Sequence, residues 1–173
     1  MSFIPAPPEQ PVLSVHPDKH IISLTGEGVR DFLNDILTAQ INTLASDTAR
    51  AACMLSPQGR ILFDMMVMAT EDTVFLITEA EQAAPLAKRL TMYRLRRKIE
   101  ITVSSNLCAG HLWGEKHADF SVPNSFISAY DERHKALGKL VLSLRLMACQ
   151  SRQKQSTGRY CGSALVFLKE QLI

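Results

Sequence analysis

The stretch Ile61–Ala69 is apolar almost without a break, and Asp64 is the conspicuous exception. A strand with one face in water alternates apolar and polar residues, whereas a strand covered on both faces does not. Any fold of this chain must therefore cover that strand on both sides. Turns bracket it. Before it stands Ser56-Pro57-Gln58-Gly59, in which Pro57 presets φ and Gly59 accepts φ > 0. After it, Glu71-Asp72 reverses the chain again. With Ala51–Leu55 on one side and Val74–Ile77 on the other, the middle of the chain reads as an antiparallel meander.

The flanks add helices and further strands. Pro5 to Pro11 suits neither a helix nor a central strand and reads as an extended lead-in over residues 1–11. Val12–Val15 and Ile21–Leu24, separated by His16-Pro17-Asp18, point to a hairpin, and Thr25 is placed to cap the next helix. Val29, Phe32, Leu33, Ile36 and Leu37 then recur at helical spacing, which predicts a helix near 27–38. A second helix is expected from Glu79 to Arg94, with Ala83, Leu86, Ala87, Leu90 and Tyr93 on its buried stripe and a basic run, Arg94–Lys98, at its end. Ile99–Val103 and Leu107–Leu112 read as strands. Helices and strands mix without a regular βαβ alternation, so the expected class is α+β: a mainly antiparallel sheet with packed helices.

Composition narrows the function classes. Of 173 residues, 46% are hydrophobic and 21% charged, enough to bury a core. The formal net charge of +2 is too small to mark a nucleic-acid protein, and no apolar run reaches membrane-spanning length. The N-terminus lacks the pattern of a secretory signal. The four cysteines, Cys53, Cys108, Cys149 and Cys161, form no C-x-x-C pair, which fits a reduced, cytoplasmic protein without a zinc site.

Four stretches, taken in order, carry a further signal. Phe32-Leu33-Asn34-Asp35-Ile36-Leu37-Thr38 is similar to the pattern F-L-Q-G-x-L-T. Leu55 to Asp64 is similar to L-T-P-Q-G-R-I-x-x-D. Leu90 to Ile101 is similar to L-x-x-Y-x-L-R-x-x-V-x-I. Asp131-Glu132-Arg133 with Leu137-Gly138-Lys139 is similar to D-P-R-x-x-x-L-G-x-R. In these four stretches the chain resembles the YgfZ-type folate-binding family, related to the aminomethyltransferase of glycine cleavage. The resemblance implies an aminomethyltransferase-like folate-binding domain over residues 12–139 and tetrahydrofolate as ligand. It also implies an accessory role in assembling or repairing iron–sulfur clusters, with iron–sulfur proteins as partners and tRNA modification affected indirectly. A true aminomethyltransferase is the second reading. Against it, the stretch Thr78-Glu79-Ala80-Glu81-Gln82 lacks the aspartate that the enzyme carries there. RNA binding through Arg94–Lys98 is the third, and it lacks interleaved aromatics.

Residues 140–173 do not resemble the family. Its K-G-C-Y-x-G-Q-E signature is absent, and Gly158-Arg159-Tyr160-Cys161-Gly162 matches it only superficially. Back-translated with chosen codons and read two bases later, Thr157–Ile173 spells a stretch similar to the family's Y-x-x-L-R-x-x-x-G-I-P-E-G. The expectation is a truncated domain with an out-of-frame, poorly packed tail, a weak or partial folate site, and a homodimer formed through the uncovered surface.

The candidate ligand residues are Asn34, Thr38, Arg60, Asp64, Tyr93, Arg94 and Arg96. Asp64 is read either as half of an ion pair with Arg60 or as the carboxylate that receives the paired N–H donors of a pterin. Arg94 and Arg96 either end a helix in solvent or bind the glutamate tail of folate. Tyr93 is expected in the core, and Asn34 and Thr38 either cap the end of the first helix or touch the pterin. The five histidines show no ligand spacing.

Overall fold

The computed structural model describes residues 8–144, apart from 105, 120 and 124. In chain order its elements are β1 (Val12–His16), β2 (Lys19–Gly26), α1 (Val29–Ile36), β3 (Thr48–Leu55), β4 (Ile61–Ala69), β5 (Thr73–Glu79), α2 (Ala80–Tyr93), β6 (Ile99–Ser104), β7 (Leu107–Trp113), β8 (Ile127–Asp131) and β9 (Lys139–Leu144). A 3₁₀ turn, Lys135–Leu137, links β8 to β9. The strands form one continuous order, β1-β7-β9-β8-β3-β4-β5-β2-β6. Every pairing is antiparallel except the short parallel contact between β3 and β8 at Thr48 and Ala49.

The order bends at β3, and its two halves pack face to face. Alternate residues of β2, β4 and β5 serve two different cores. Ile22, Leu24, Met65, Val67, Ala69, Val74 and Leu76 face α1 and α2, where they meet Phe32, Leu33, Leu86 and Leu90. Ile21, Met68, Phe75 and Ile77 face the other half and meet Ala109, Ala129, Leu140 and Leu142. This is why Ile61–Ala69 does not alternate: its odd positions bury against helices and its even ones against a second sheet layer. The class is α+β, with helices, sheet and sheet in three layers.

The meander β3-β4-β5 forms as the turns dictate. The Ser56 turn is closed by Ser56 N donating to Arg60 O at 2.8 Å and Gly59 N donating to Ser56 O at 2.9 Å. The hairpin expected at the N-terminus does not form. β1 pairs with β7, and β2 pairs with β5 and β6. Pro17 and Asp18 carry the chain from one half of the sheet to the other, so two strands adjacent in sequence belong to different layers. Thr25 lies within β2, and the residue that caps α1 is Gly28, in a left-handed conformation. Tyr93 leaves the expected stripe of α2: Ala83, Leu86 and Leu90 are buried and Tyr93 is exposed. Packing also continues past residue 139, because Leu140, Val141, Leu142 and Ser143 are buried in β9. The expected out-of-frame tail otherwise falls on residues 145–173, outside those described.

Gly138 closes the turn into β9 at φ 71°, and a Cβ there would lie 2.1 Å from the Leu112 carbonyl oxygen. Only glycine fits both the dihedral and the space.

Candidate functional site

The C-terminal half of α1 and the residues just beyond it tie together two of the surfaces that carry candidate residues. Asn34 accepts a hydrogen bond from Ile41 N at 2.9 Å through Oδ1, which folds the loop back under the helix. Thr38 N donates to Cys53 O, and Cys53 N donates to Thr38 Oγ1, both at 2.9 Å. These bonds add the Leu37–Thr38 segment to the free edge of β3. The oxygens of Asn34 and Thr38 are thus already engaged in holding α1 in place.

Opposite Cys53 in the β3–β4 ladder stands Asp64. It shares a face with Met66 and Met68 but lies toward the end of the strand where it is exposed. The ion pair with Arg60 is not formed: among the described residues no ion pair involves either side chain. Arg60 is exposed at the end of the turn, where β3 and β4 slip register. Asp64 is fixed through its backbone instead, its carbonyl accepting from Thr78 Oγ1 at 2.9 Å. An unpaired carboxylate on this strand therefore costs little, because water reaches it.

On the other flank of α1, Tyr93, Arg94, Leu95, Arg96 and Arg97 line an open, mainly apolar depression of about 640 Å³. Two of its cations are occupied. Arg94 donates through Nη1 to Ile99 O. Arg97 pairs with Asp35 of α1 at 2.8 Å and lies over the Phe32 ring, 5.5 Å from its centroid. Arg96 has no such partner among the described residues and is exposed. Leu95 is 84% exposed and sits at φ 50°. A left-handed leucine is uncommon and strained. It turns an apolar side chain and the neighbouring Arg96 outward together.

The seven sequence candidates thus lie in groups: Asn34 and Thr38 around α1, Arg60 and Asp64 at the start of β4, Tyr93, Arg94 and Arg96 in the depression. Thr38 reaches Asp64 through Cys53, and Asp35 beside Asn34 reaches the depression through Arg97.

A further cluster was not visible in the sequence. His16 Nε2 meets His111 Nδ1 at 2.8 Å, and His111 Nε2 meets Asp131 Oδ2 at 3.0 Å. Arg133 clamps the same carboxylate through Nη2 at 2.6 Å and Nε at 2.9 Å, and its backbone N donates to Oδ1 at 3.1 Å. The Asp131 side chain is 0% exposed. Burial alone would raise its pKa. The bonds from Arg133 and His111 outweigh burial and hold the carboxyl below the usual aspartate value. Burial lowers the pKa of His16 below the ordinary histidine value, His111 and Lys19 lower it further, and Glu79 opposes them. Among the described residues no group of three or more His, Cys, Asp or Glu is placed to hold a metal ion. No described helix is long and apolar enough to cross a membrane.

No protein-family model matches the chain, and no curated protein matches it. Among solved structures, the glycine cleavage system aminomethyltransferase T from Bartonella henselae is similar, with a TM-score of 0.64 and 15% sequence identity. The likeness covers 79% of this chain and 42% of that one, so the chain spans less than half the length of the enzyme it resembles. At that identity the likeness is one of fold: the described residues adopt an aminomethyltransferase-like α+β architecture.

Proposed function

We propose that this chain carries the folate-binding portion of a YgfZ-type protein, an accessory factor for iron–sulfur cluster maintenance that binds tetrahydrofolate and does not transfer its one-carbon unit. The observation that carries the reading is Asp64. It is an exposed carboxylate without an ion pair among the described residues, set into a strand that is otherwise apolar. A carboxylate so placed offers two acceptors to the paired N–H donors along one edge of a pterin ring. Arg96, exposed in the same depression as Tyr93 and without an ion pair among the described residues, suits the carboxylates of a glutamate tail better than a lysine would, because its planar fork matches them. Asn34 and Thr38 support α1, and Arg94 and Arg97 brace the depression. The fold of a solved glycine cleavage aminomethyltransferase fits the ligand class.

The enzyme reading is weaker. β5 runs directly into α2, and Glu79 at the junction is paired with Lys19 rather than free for proton transfer.

Calorimetry with 5-formyltetrahydrofolate near neutral pH tests the proposal. Binding in roughly the high-micromolar range is expected, weakened about tenfold by Asp64→Ala or by Arg96→Ala, a loss of about 1.4 kcal/mol each. Submicromolar binding would overturn the partial pocket. Binding that ignores Asp64→Ala would remove that residue from the site, and no binding at all would remove folate.

A further inference from the structure

β6 is the last strand of the sheet, and among the described residues it pairs with β2 alone. Its hydrogen bonds show which groups the outer edge offers. Ile99 N donates to Arg97 O, and Ile99 O accepts from the Arg94 guanidinium, so both backbone groups of Ile99 turn away from β2. The Thr102 carbonyl turns toward β2, where it accepts from Ser23 Oγ. Backbone groups of successive residues point to alternate sides of an antiparallel strand. The N–H and C=O of Ile101 and Val103 therefore point outward, to the free edge. Arg94 closes the first rung of that edge, and the next two are open. Native edges are commonly guarded by lysine, by proline or by a bulge. The other edge strand, β1, lies between Pro11 and Pro17. The open rungs of β6 are an isoleucine and a valine, and the valine is 38% exposed.

This edge begins where the depression ends. Residues 88–98 hold six Lys and Arg and no Asp or Glu, whereas acids outnumber bases in the rest of the chain. Tyr93 and the strained Leu95 give the same place exposed apolar surface. We propose that β6 and the depression together form a docking site for an extended, acidic segment of a partner protein, which adds to the sheet antiparallel to β6. A strand added to an edge is held by main-chain hydrogen bonds, and flanking contacts select its sequence. The added strand bonds Ile101 and Val103. Running antiparallel, its C-terminal end lies at Ile99, so Asp or Glu residues that follow the strand meet Arg96 and Lys98. A second copy of this chain fits worse. Paired antiparallel about Ile101, Lys98 of each copy faces Ser104 of the other, and residues 101–114 contain no acid to reach the depression. A nucleic acid or a lipid surface makes no use of the open rungs. The docking site goes beyond the folate reading and shares Tyr93 and Arg96 with it, while Lys98 and Val103 belong to docking alone.

Two synthetic peptides test this on the full chain, by calorimetry and by amide exchange followed with NMR. One is Thr-Val-Thr-Val-Thr-Gly-Glu-Glu-Glu, and the other has the same residues in reverse order. The first binds about tenfold more tightly than the second, because only its acids reach the depression when its strand lies on β6. It also slows exchange at Ile101 and Val103 in the wild type. Lys98→Glu weakens it about tenfold. Val103→Pro weakens it at least as much, because proline removes an outward N–H and is tolerated on an edge, so the ladder to β2 survives. Binding of 5-formyltetrahydrofolate is unchanged in Val103→Pro, which separates this site from the folate site. No binding of either peptide, equal binding of both, or slowed exchange that bypasses Ile101 and Val103 overturns the docking site. Oligouridylate or phosphatidylglycerol vesicles that bind the wild type more tightly than the first peptide, and lose that binding in Lys98→Glu, assign the cations to RNA or to a lipid surface and overturn it as well.

Discussion

Asp131 is a buried carboxylate whose stability rests on a residue that is itself half in water. Arg133 is 45% exposed, yet it supplies the carboxylate with its guanidinium and its backbone N–H. Arg133→Ala leaves the charge with the backbone donor and His111 alone. Breaking a fully buried pair costs about 3–5 kcal/mol. The exposure of Arg133 reduces this, and a loss of about 1–3 kcal/mol is expected from urea unfolding at neutral pH. The pH dependence follows from the direction of each shift. Asp131 is depressed, so its contribution is present above the unfolded value of about 3.9 and is lost as pH falls through its lower native value. His16 is also depressed, so the unfolded chain takes up that proton first, and stability begins to fall below about pH 6.5. Urea midpoints measured from neutral to acid pH should show two declines in the wild type, with the lower one diminished in Arg133→Ala, because the Arg133 side-chain bonds that depress Asp131 are gone and the stabilisation they give is already lost at neutral pH. An undiminished lower decline in Arg133→Ala would contradict the assignment.

At the scale of elements, the legible parts were those whose partners are local. The apolar run of β4, the Pro57–Gly59 turn and the α2 stripe from Ala83 to Leu90 each carry their own signal, and all are found where the periodicity puts them. The N-terminal hairpin failed because the pairing of β1 is decided by β7, about a hundred residues away, and no local pattern reports it. The same reason hid the His16–His111–Asp131 chain, whose members come from three strands distant in sequence. Tyr93 failed on position: α2 ends there, and the chain turns outward before its ring can enter the core. The Leu137-Gly138-Lys139 segment is a pattern in the sequence whose physical cause is the close approach of Gly138 to the Leu112 carbonyl. Gly138→Ala combines a positive φ with a backbone collision. It is expected to cost more than about 2 kcal/mol, against a few tenths for an ordinary exposed turn residue. Thermal unfolding measures the difference, and a neutral substitution would mean that β9 can shift away from β7 at little cost.

Across the whole molecule, one half of the sheet is a helix-covered unit built mostly from sequence neighbours, and the other is assembled from chain ends. β3, β4 and β5 follow one another, and α2 leads into β6 beside β2. Closing the second half requires Val12 to find Trp113 and Thr48 to find Tyr130. The entropy of closing such loops must be met before any contact within them is gained. In refolding from denaturant with pulsed hydrogen labelling, amides of β4 and β5 should be protected in an earlier phase than those of β1. Simultaneous protection would show that both halves condense together. β1 is thus made first and placed last. Until it arrives, the outer edge of β7 stands open as a template, and at high protein concentration the strand that fills it can come from a second copy of the chain.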